Sequence, residues 1–192
     1  SNINEIKFIK KIKWDSSLDN FNNFDFDENI FEDKKMYEAL IDFYKFGFVI
    51  FKNVPTKNNF IVNFANSIGS IRRTNFGEFF NVKSKPNPND LAYTSLSLAP
   101  HTDNPYRDPV PTLQILYCLE NSAKGGENMV VDGFSAIQKL KNENLEFFNV
   151  LSDYCAKFEY SGEEGVKLST RKPIIELAPD GELIGIRFNN RS

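Results

Sequence analysis

The order of elements along the chain predicts an α+β fold with a β-sandwich or jelly-roll-like pair of sheets. Three observations carry this. The two clearest helical stripes lie before residue 70, strand-like runs dominate after residue 90, and the turns between those runs have hairpin chemistry. Each element follows from local pattern.

The opening stretch is ambiguous. Ile6 and Phe8 alternate with Glu5 and Lys7 as in a strand, while Ile3, Ile6, Ile9 and Ile12 recur every third residue. β-branched content favours an edge strand. Trp14-Asp15 is expected to pin this arm, residues 1–30, to the body formed by 31–192, and Phe24-Asp25-Phe26-Asp27 reads as a solvated loop with two anchoring rings. Asp33 can cap a helix whose apolar positions are Met36, Leu40, Phe43 and Tyr44, with Gly47 as its stop. Phe48 to Phe51 reads as a buried strand. A second helix runs from about Asn58 to the stop at Gly69. Lys83 to Asp90 is a loop by its Pro and Asn content, and Leu91 to Thr94 a short strand. Thr112 to Leu119 is the strongest strand pattern, followed after Gly125-Gly126 by Glu127 to Asp132. Helices are expected over Ser135–Leu140 and Leu145–Leu151. Strands are expected over Phe158–Tyr160, Lys172–Leu177 and Leu183–Phe188, the last two joined by the turn Pro179-Asp180-Gly181.

Composition narrows the function classes. The chain has 192 residues, enough for one domain with a real core. With 26% charged residues and a net charge of −3, no bulk positive field draws it to nucleic acid or to a membrane surface. No apolar run reaches the roughly 20 residues a membrane span requires. The N-terminal Ser1-Asn2-Ile3-Asn4-Glu5 shows no signal-peptide pattern. Cys118 and Cys155 lie far apart in apolar segments, which points to buried free thiols and a reducing cytoplasm.

The chemistry concentrates at Leu98-Ala99-Pro100-His101-Thr102-Asp103-Asn104-Pro105, which holds the only histidine. In an extended segment residues i and i+2 share a side, so His101 and Asp103 can meet one metal ion. Imidazole plus carboxylate suits a mid-series divalent metal, and two His with one carboxylate make the facial triad of non-haem Fe(II) oxygenases. Alone, His-x-Asp is more often a satisfied surface or turn pair. Thr112 and Gln114 share a face of the next segment; Gln114 either bridges strands or faces the site. Arg72 and Arg73 read as a solvated pair at a helix-to-loop junction, and Tyr106-Arg107-Asp108 as a Pro-bounded loop able to act as a lid.

Seven blocks extend the signal: Thr74-Asn75-Phe76-Gly77, Leu91-Ala92-Tyr93-Thr94, His101-Thr102-Asp103-Asn104-Pro105, Gln114-Ile115-Leu116-Tyr117-Cys118, Gly125-Gly126-Glu127, Val131-Asp132-Gly133-Phe134 and Arg187-Phe188-Asn189-Asn190. In order and spacing they resemble the γ-butyrobetaine dioxygenases and, in much of the pattern, the trimethyllysine dioxygenases. Both belong to the taurine-dioxygenase-like Fe(II)/2-oxoglutarate oxygenases. The resemblance implies a double-stranded β-helix (jelly-roll) core with helices packed on one sheet. It implies Fe(II) held by His101 and Asp103, 2-oxoglutarate on the metal with Thr112 and Gln114 nearby, and ascorbate as an accessory reductant. It implies O2-dependent hydroxylation of a trimethylammonium carboxylate such as γ-butyrobetaine. Such a cation has no N–H to donate, so aromatic faces must recognise it. The matching rings are Phe76, Phe80 and Tyr93, with Asn189 and Asn190 near the substrate carboxylate. Phe76 and Phe80 stand where better-known members have more electron-rich rings, and Asp90 where some have an amide.

The resemblance also implies a second histidine and a 2-oxoglutarate arginine beyond the Asn-Asn-Arg block, where this sequence has only Ser192. The chain is therefore expected to be C-terminally incomplete, with an open sheet edge that favours a homodimer. The competing readings are a non-catalytic module for betaine-like solutes and a structural dimer that keeps only the fold.

Overall fold

A computed structural model describes residues 9–27, 29–31, 34–57, 59–82, 98–122 and 124–190. Among them are six strands and four helices: β1 (Asn23–Asp25), α1 (Lys34–Phe46), β2 (Ile50–Lys52), α2 (Phe60–Ile68), α3 (Gly133–Glu143), α4 (Leu145–Asp153), β3 (Cys155–Glu163), β4 (Val166–Pro173), β5 (Ile175–Leu177) and β6 (Leu183–Ile186). The α+β class holds. The strands form three separate two-stranded sheets, β1-β2, β3-β4 and β5-β6, so a jelly-roll core is not assembled among the described residues. None of the helices is long and apolar enough to cross a membrane.

The chain divides into two compact units. The first comprises residues up to Phe60 together with Val131–Ala136. The run expected as a loop, Phe24 to Asp27, instead begins with β1, which pairs in parallel with β2 through the intervening α1. Its rings do anchor it: Phe24 is buried, and Phe26 packs edge-on against Phe60 with centroids 5.1 Å apart. Helix α1 ends as its pattern predicts. Gly47, at φ 81°, donates its N–H to the Phe43 carbonyl at 2.8 Å. Its buried face is Met36, Ala39 and Asp42, whereas Leu40 and Tyr44 are exposed. The buried Asp42 carboxylate accepts from Asn22 Nδ2 at 2.6 Å, which makes its burial tolerable. Phe48–Phe51 shrinks to Ile50–Lys52 and is not a buried strand, since Ile50 is exposed; a two-stranded sheet covers only one side. Trp14 pins the N-terminal arm, donating from its indole to the Phe46 carbonyl and from its backbone to Asp132, each at 2.9 Å.

The second unit comprises Ile61–Val130 and Ile137–Ser192. Helix α4 is capped by Asn144, whose side chain accepts from the Phe147 N–H, and it packs on β4 and β5. The buried residues here include Phe148, Phe158 and Ile175. β3 and β4 form an antiparallel pair with a register irregularity between Tyr160 and Glu163, and β5 pairs antiparallel with β6. The turn predicted at Pro179-Asp180-Gly181 forms, with Gly181 at φ 84° donating to the Ala178 carbonyl at 2.8 Å.

Two sequence expectations fail. Thr112–Leu119 and Glu127–Asp132 carry the strongest strand patterns, yet neither enters a sheet. Leu113, Leu116, Met129 and Val130 are more than half exposed. A strand exists only where a neighbour completes its ladder, so side-chain pattern alone cannot make one. The thiols are not buried either: Cys118 sits on an unpaired segment, Cys155 opens the paired strand β3, and both are free and exposed.

Candidate metal centre

The site is built on the loop from Ala99 to Asp108. Asn104 adopts φ 53°, a left-handed conformation that Asn tolerates better than most residues, and this turns the chain back on itself. Its carbonyl accepts from the Arg107 N–H, and its side-chain oxygen accepts from the Tyr106 hydroxyl at 2.9 Å. Pro105 is fully buried beneath the turn.

The stretch after β6 fixes this loop from the other side. Thr102 N–H donates to the Phe188 carbonyl at 2.7 Å, and Phe188 N–H donates to Thr102 Oγ1 at 2.9 Å. Asn189 Nδ2 donates to the Thr102 carbonyl at 3.2 Å. Arg187, 3% exposed, organises the junction. Its Nη1 donates to the carbonyls of Pro105 and Arg107, each at 2.7 Å, and its Nε and Nη2 donate to Glu176 Oε1 at 3.2 and 3.0 Å. Gly185 lies opposite Glu176 in the β5-β6 register, and a Cβ there would come within 2.9 Å of Glu176 Oε2. The glycine leaves room for that carboxylate. Arg187 went unremarked as an organiser in the sequence, although a cation ending an apolar strand was its signal.

On this braced loop His101 Nε2 faces Asp103 Oδ1 at 3.2 Å. His101 Nδ1 lies 2.7 Å from the Ala99 carbonyl. A carbonyl only accepts, so Nδ1 carries a proton and Nε2 is the ring nitrogen turned to the carboxylate. Gln114 Nε2 donates to the other Asp103 oxygen at 2.9 Å, which orients the carboxylate. Two lone-pair atoms at this distance repel unless a cation, a proton or a metal, stands at them. A proton shared with Asp103 satisfies the pair as it stands, and a divalent metal with these two protein ligands would satisfy it in the same place. Among the described residues no third His, Cys, Asp or Glu joins the pair. Thr112 is exposed on the Gln114 segment, and no hydrogen bond joins it to the pair.

The aromatic residues gather in the same unit, with Tyr106 of the metal loop among them. Thr74 and Gly77 exchange backbone hydrogen bonds at 3.0 Å, with Gly77 at φ 90°, and the turn presents Phe76. Phe76 lies 5.5 Å from Phe80 and 5.6 Å from Tyr160, which stacks on Tyr106 at 5.0 Å. So the structure brings together Phe76 and Phe80 and adds Tyr160 and Tyr106, which pattern reading did not select. Tyr93 and Asp90 lie outside the described residues. Asn189 braces the metal loop, and Asn190 is exposed.

A His-x-Asp pair on a braced loop, oriented by a glutamine from the following segment, presents two of the three donor types that make up the facial triad of non-haem oxygenases. The model of the taurine catabolism dioxygenase TauD, TfdA family matches residues 12–191, and the chain belongs to that family. Human gamma-butyrobetaine dioxygenase is 31% identical over 188 residues, which is 97% of this chain and 48% of that protein. The gamma-butyrobetaine dioxygenase of a Pseudomonas species is 34% identical, over 83% of this chain and 41% of that one. Trimethyllysine dioxygenase of Meyerozyma guilliermondii is 32% identical, over 85% and 41%. The chain thus spans about half or less of the length of these relatives.

Proposed function

We propose that this chain is the metal-loop portion of an Fe(II)/2-oxoglutarate-dependent dioxygenase that hydroxylates a trimethylammonium carboxylate of the γ-butyrobetaine or trimethyllysine kind. The carrying observation is the facing of His101 Nε2 and Asp103 Oδ1 on a loop held by Arg187, Thr102 and Gln114. In this reading His101 and Asp103 hold the iron, and iron with 2-oxoglutarate supplies the oxygen chemistry when bound. The chain's own contribution is positional. Ala99 sets the histidine tautomer, Gln114 fixes the carboxylate, and Arg187 keeps the two ligands at one spacing. Phe76, Phe80 and Tyr160 offer π-faces to a cation that cannot donate hydrogen bonds. Asn189 and Asn190 follow the loop's brace and supply amides for a substrate carboxylate. The jelly-roll core and the division into an arm over 1–30 and an oxygenase region over 31–192 belong to the same proposal.

Anaerobic Fe(II) titration with 2-oxoglutarate tests it. The expected result is a visible metal-to-ligand charge-transfer band that His101→Ala abolishes; a chain that binds neither Fe(II) nor 2-oxoglutarate would overturn the reading. Self-association is part of the proposal, because exposed Leu113, Leu116, Met129 and Val130 invite a second copy. Sedimentation at rising concentration checks it. A second reading, a module that binds betaine-like solutes without catalysis, is favoured by the two-donor metal set. Calorimetry with trimethylammonium ligands in metal-free buffer separates the two.

A further inference from the structure

We propose that the cleft between the end of the metal loop and strand β4 is a binding site for a small oxyanion, a carboxylate or a phosphate. The cleft has a volume of about 430 Å³ and is lined by Arg72, Arg107, Lys167, Asp108 and Ser169 among others. The inference does not depend on the metal reading.

The argument rests on how the cations are held. Arg72 Nη1 donates to the Pro109 carbonyl at 2.6 Å. Arg107 Nε donates to Asn104 Oδ1 at 3.3 Å, and its Nη2 donates to Asn75 Oδ1. Both guanidiniums are thus oriented by neutral oxygens, and among the described residues neither is paired with a carboxylate. Their positions are fixed while their charge stays uncompensated, which is the condition for binding an anion at low ordering cost.

The one carboxylate in the lining does not cancel this charge. Asp108 is engaged by Lys172 Nζ at 3.0 Å and lies 3.8 Å from Arg187 Nη2. Lys167 reaches Glu159 only at 4.0 Å, and Glu159 is held more closely by Lys157. The hydrogen bond and charge of Lys157, with the charge of Lys167, hold the Glu159 carboxyl below the usual carboxylate range. A chain of net charge −3 therefore carries a local positive field at this cleft. Two planar guanidinium forks suit oxyanions, which accept several hydrogen bonds at once.

The test is calorimetric titration of the intact chain at low ionic strength with succinate and, separately, inorganic phosphate. Saturable binding of either is expected, weakening as salt rises. Lys167→Gln and Arg72→Gln should each raise Kd about five- to tenfold, and Arg72→Lys should keep part of the affinity. Lys139→Gln, on solvated α3 where Lys139 pairs with Glu143, serves as the charge control and should leave Kd unchanged. Binding of succinate alone or of phosphate alone supports the site and names its ligand. Absence of saturation with both anions, or an equal weakening by Lys139→Gln, would overturn it.

Discussion

Replacing Arg187 tests the architecture of the metal loop most directly. The guanidinium is buried, with 4% of its side chain exposed, and makes four hydrogen bonds: two to the Pro105 and Arg107 carbonyls and two to Glu176 Oε1. Arg187→Met keeps much of the apolar stem but strands two carbonyls and one carboxylate. Breaking a buried charge pair by removing one partner costs about 3–5 kcal/mol. Glu176 keeps 28% of its side chain exposed and regains some water, so the lower end, about 3 kcal/mol, is expected. Arg187→Lys retains charge but cannot span three acceptors with one ammonium, and should cost about 2 kcal/mol. The assay is urea unfolding followed by amide exchange at Thr102 and Arg187, whose N–H groups donate to the Phe188 and Ile174 carbonyls. Trp14 belongs to the other unit, and its fluorescence is the internal control. Glu176→Gln completes a double-mutant cycle with an expected coupling of about 1–3 kcal/mol. A loss below about 1 kcal/mol for Arg187→Met, with exchange at Thr102 unchanged, would refute the view that Arg187 holds the loop.

Further outcomes are expected. Gln114→Ala should leave folding intact but weaken Fe(II) binding about tenfold, because Asp103 loses its orienting donor; titration of the metal reads this directly. Asp132 caps α3, accepting from the Phe134 and Ser135 N–H groups and the Ser135 hydroxyl, so Asp132→Ala should cost about 1–2 kcal/mol in denaturation. Burial alone would raise the Asp132 pKa, but hydrogen bonds from Ser135, Trp14 and Phe134 outweigh it and lower the folded value beneath 3.8. Its stabilising contribution is therefore complete above the unfolded value and disappears as pH falls through the lower folded one, which circular dichroism in an acid titration can follow. Gly162→Ala would place a Cβ 3.0 Å from the Tyr160 ring, so the ring must give by a few tenths of an ångström against Tyr106, at a cost of about 1 kcal/mol, visible as altered tyrosine fluorescence. Finally, Cys118 and Cys155 should both react with a thiol reagent in native buffer without a lag; slow labelling would contradict their exposure.

Features that depend on neighbours a few residues away are legible in the chain's own residues. The stops at Gly47 and Gly69, the helix beginning at Leu145, the Pro179-Asp180-Gly181 turn and the i, i+2 relation of His101 to Asp103 are local, and each holds in the structure. The succession of short blocks likewise pointed to the family that the comparisons show. What required tertiary structure was pairing across long separations. Thr112–Leu119 has the side chains of a strand, but a ladder needs a second backbone, and among the described residues none aligns with it. Arg187 becomes the organiser of a loop about 80 residues earlier only because the stretch after β6 lies beside Pro105 and Arg107. Tyr160 enters the aromatic group because β3 carries it to Phe76 and Tyr106, an arrangement no periodicity encodes. Propensity and spacing act within a few residues, whereas burial, charge compensation and ring packing are decided by which distant segments meet.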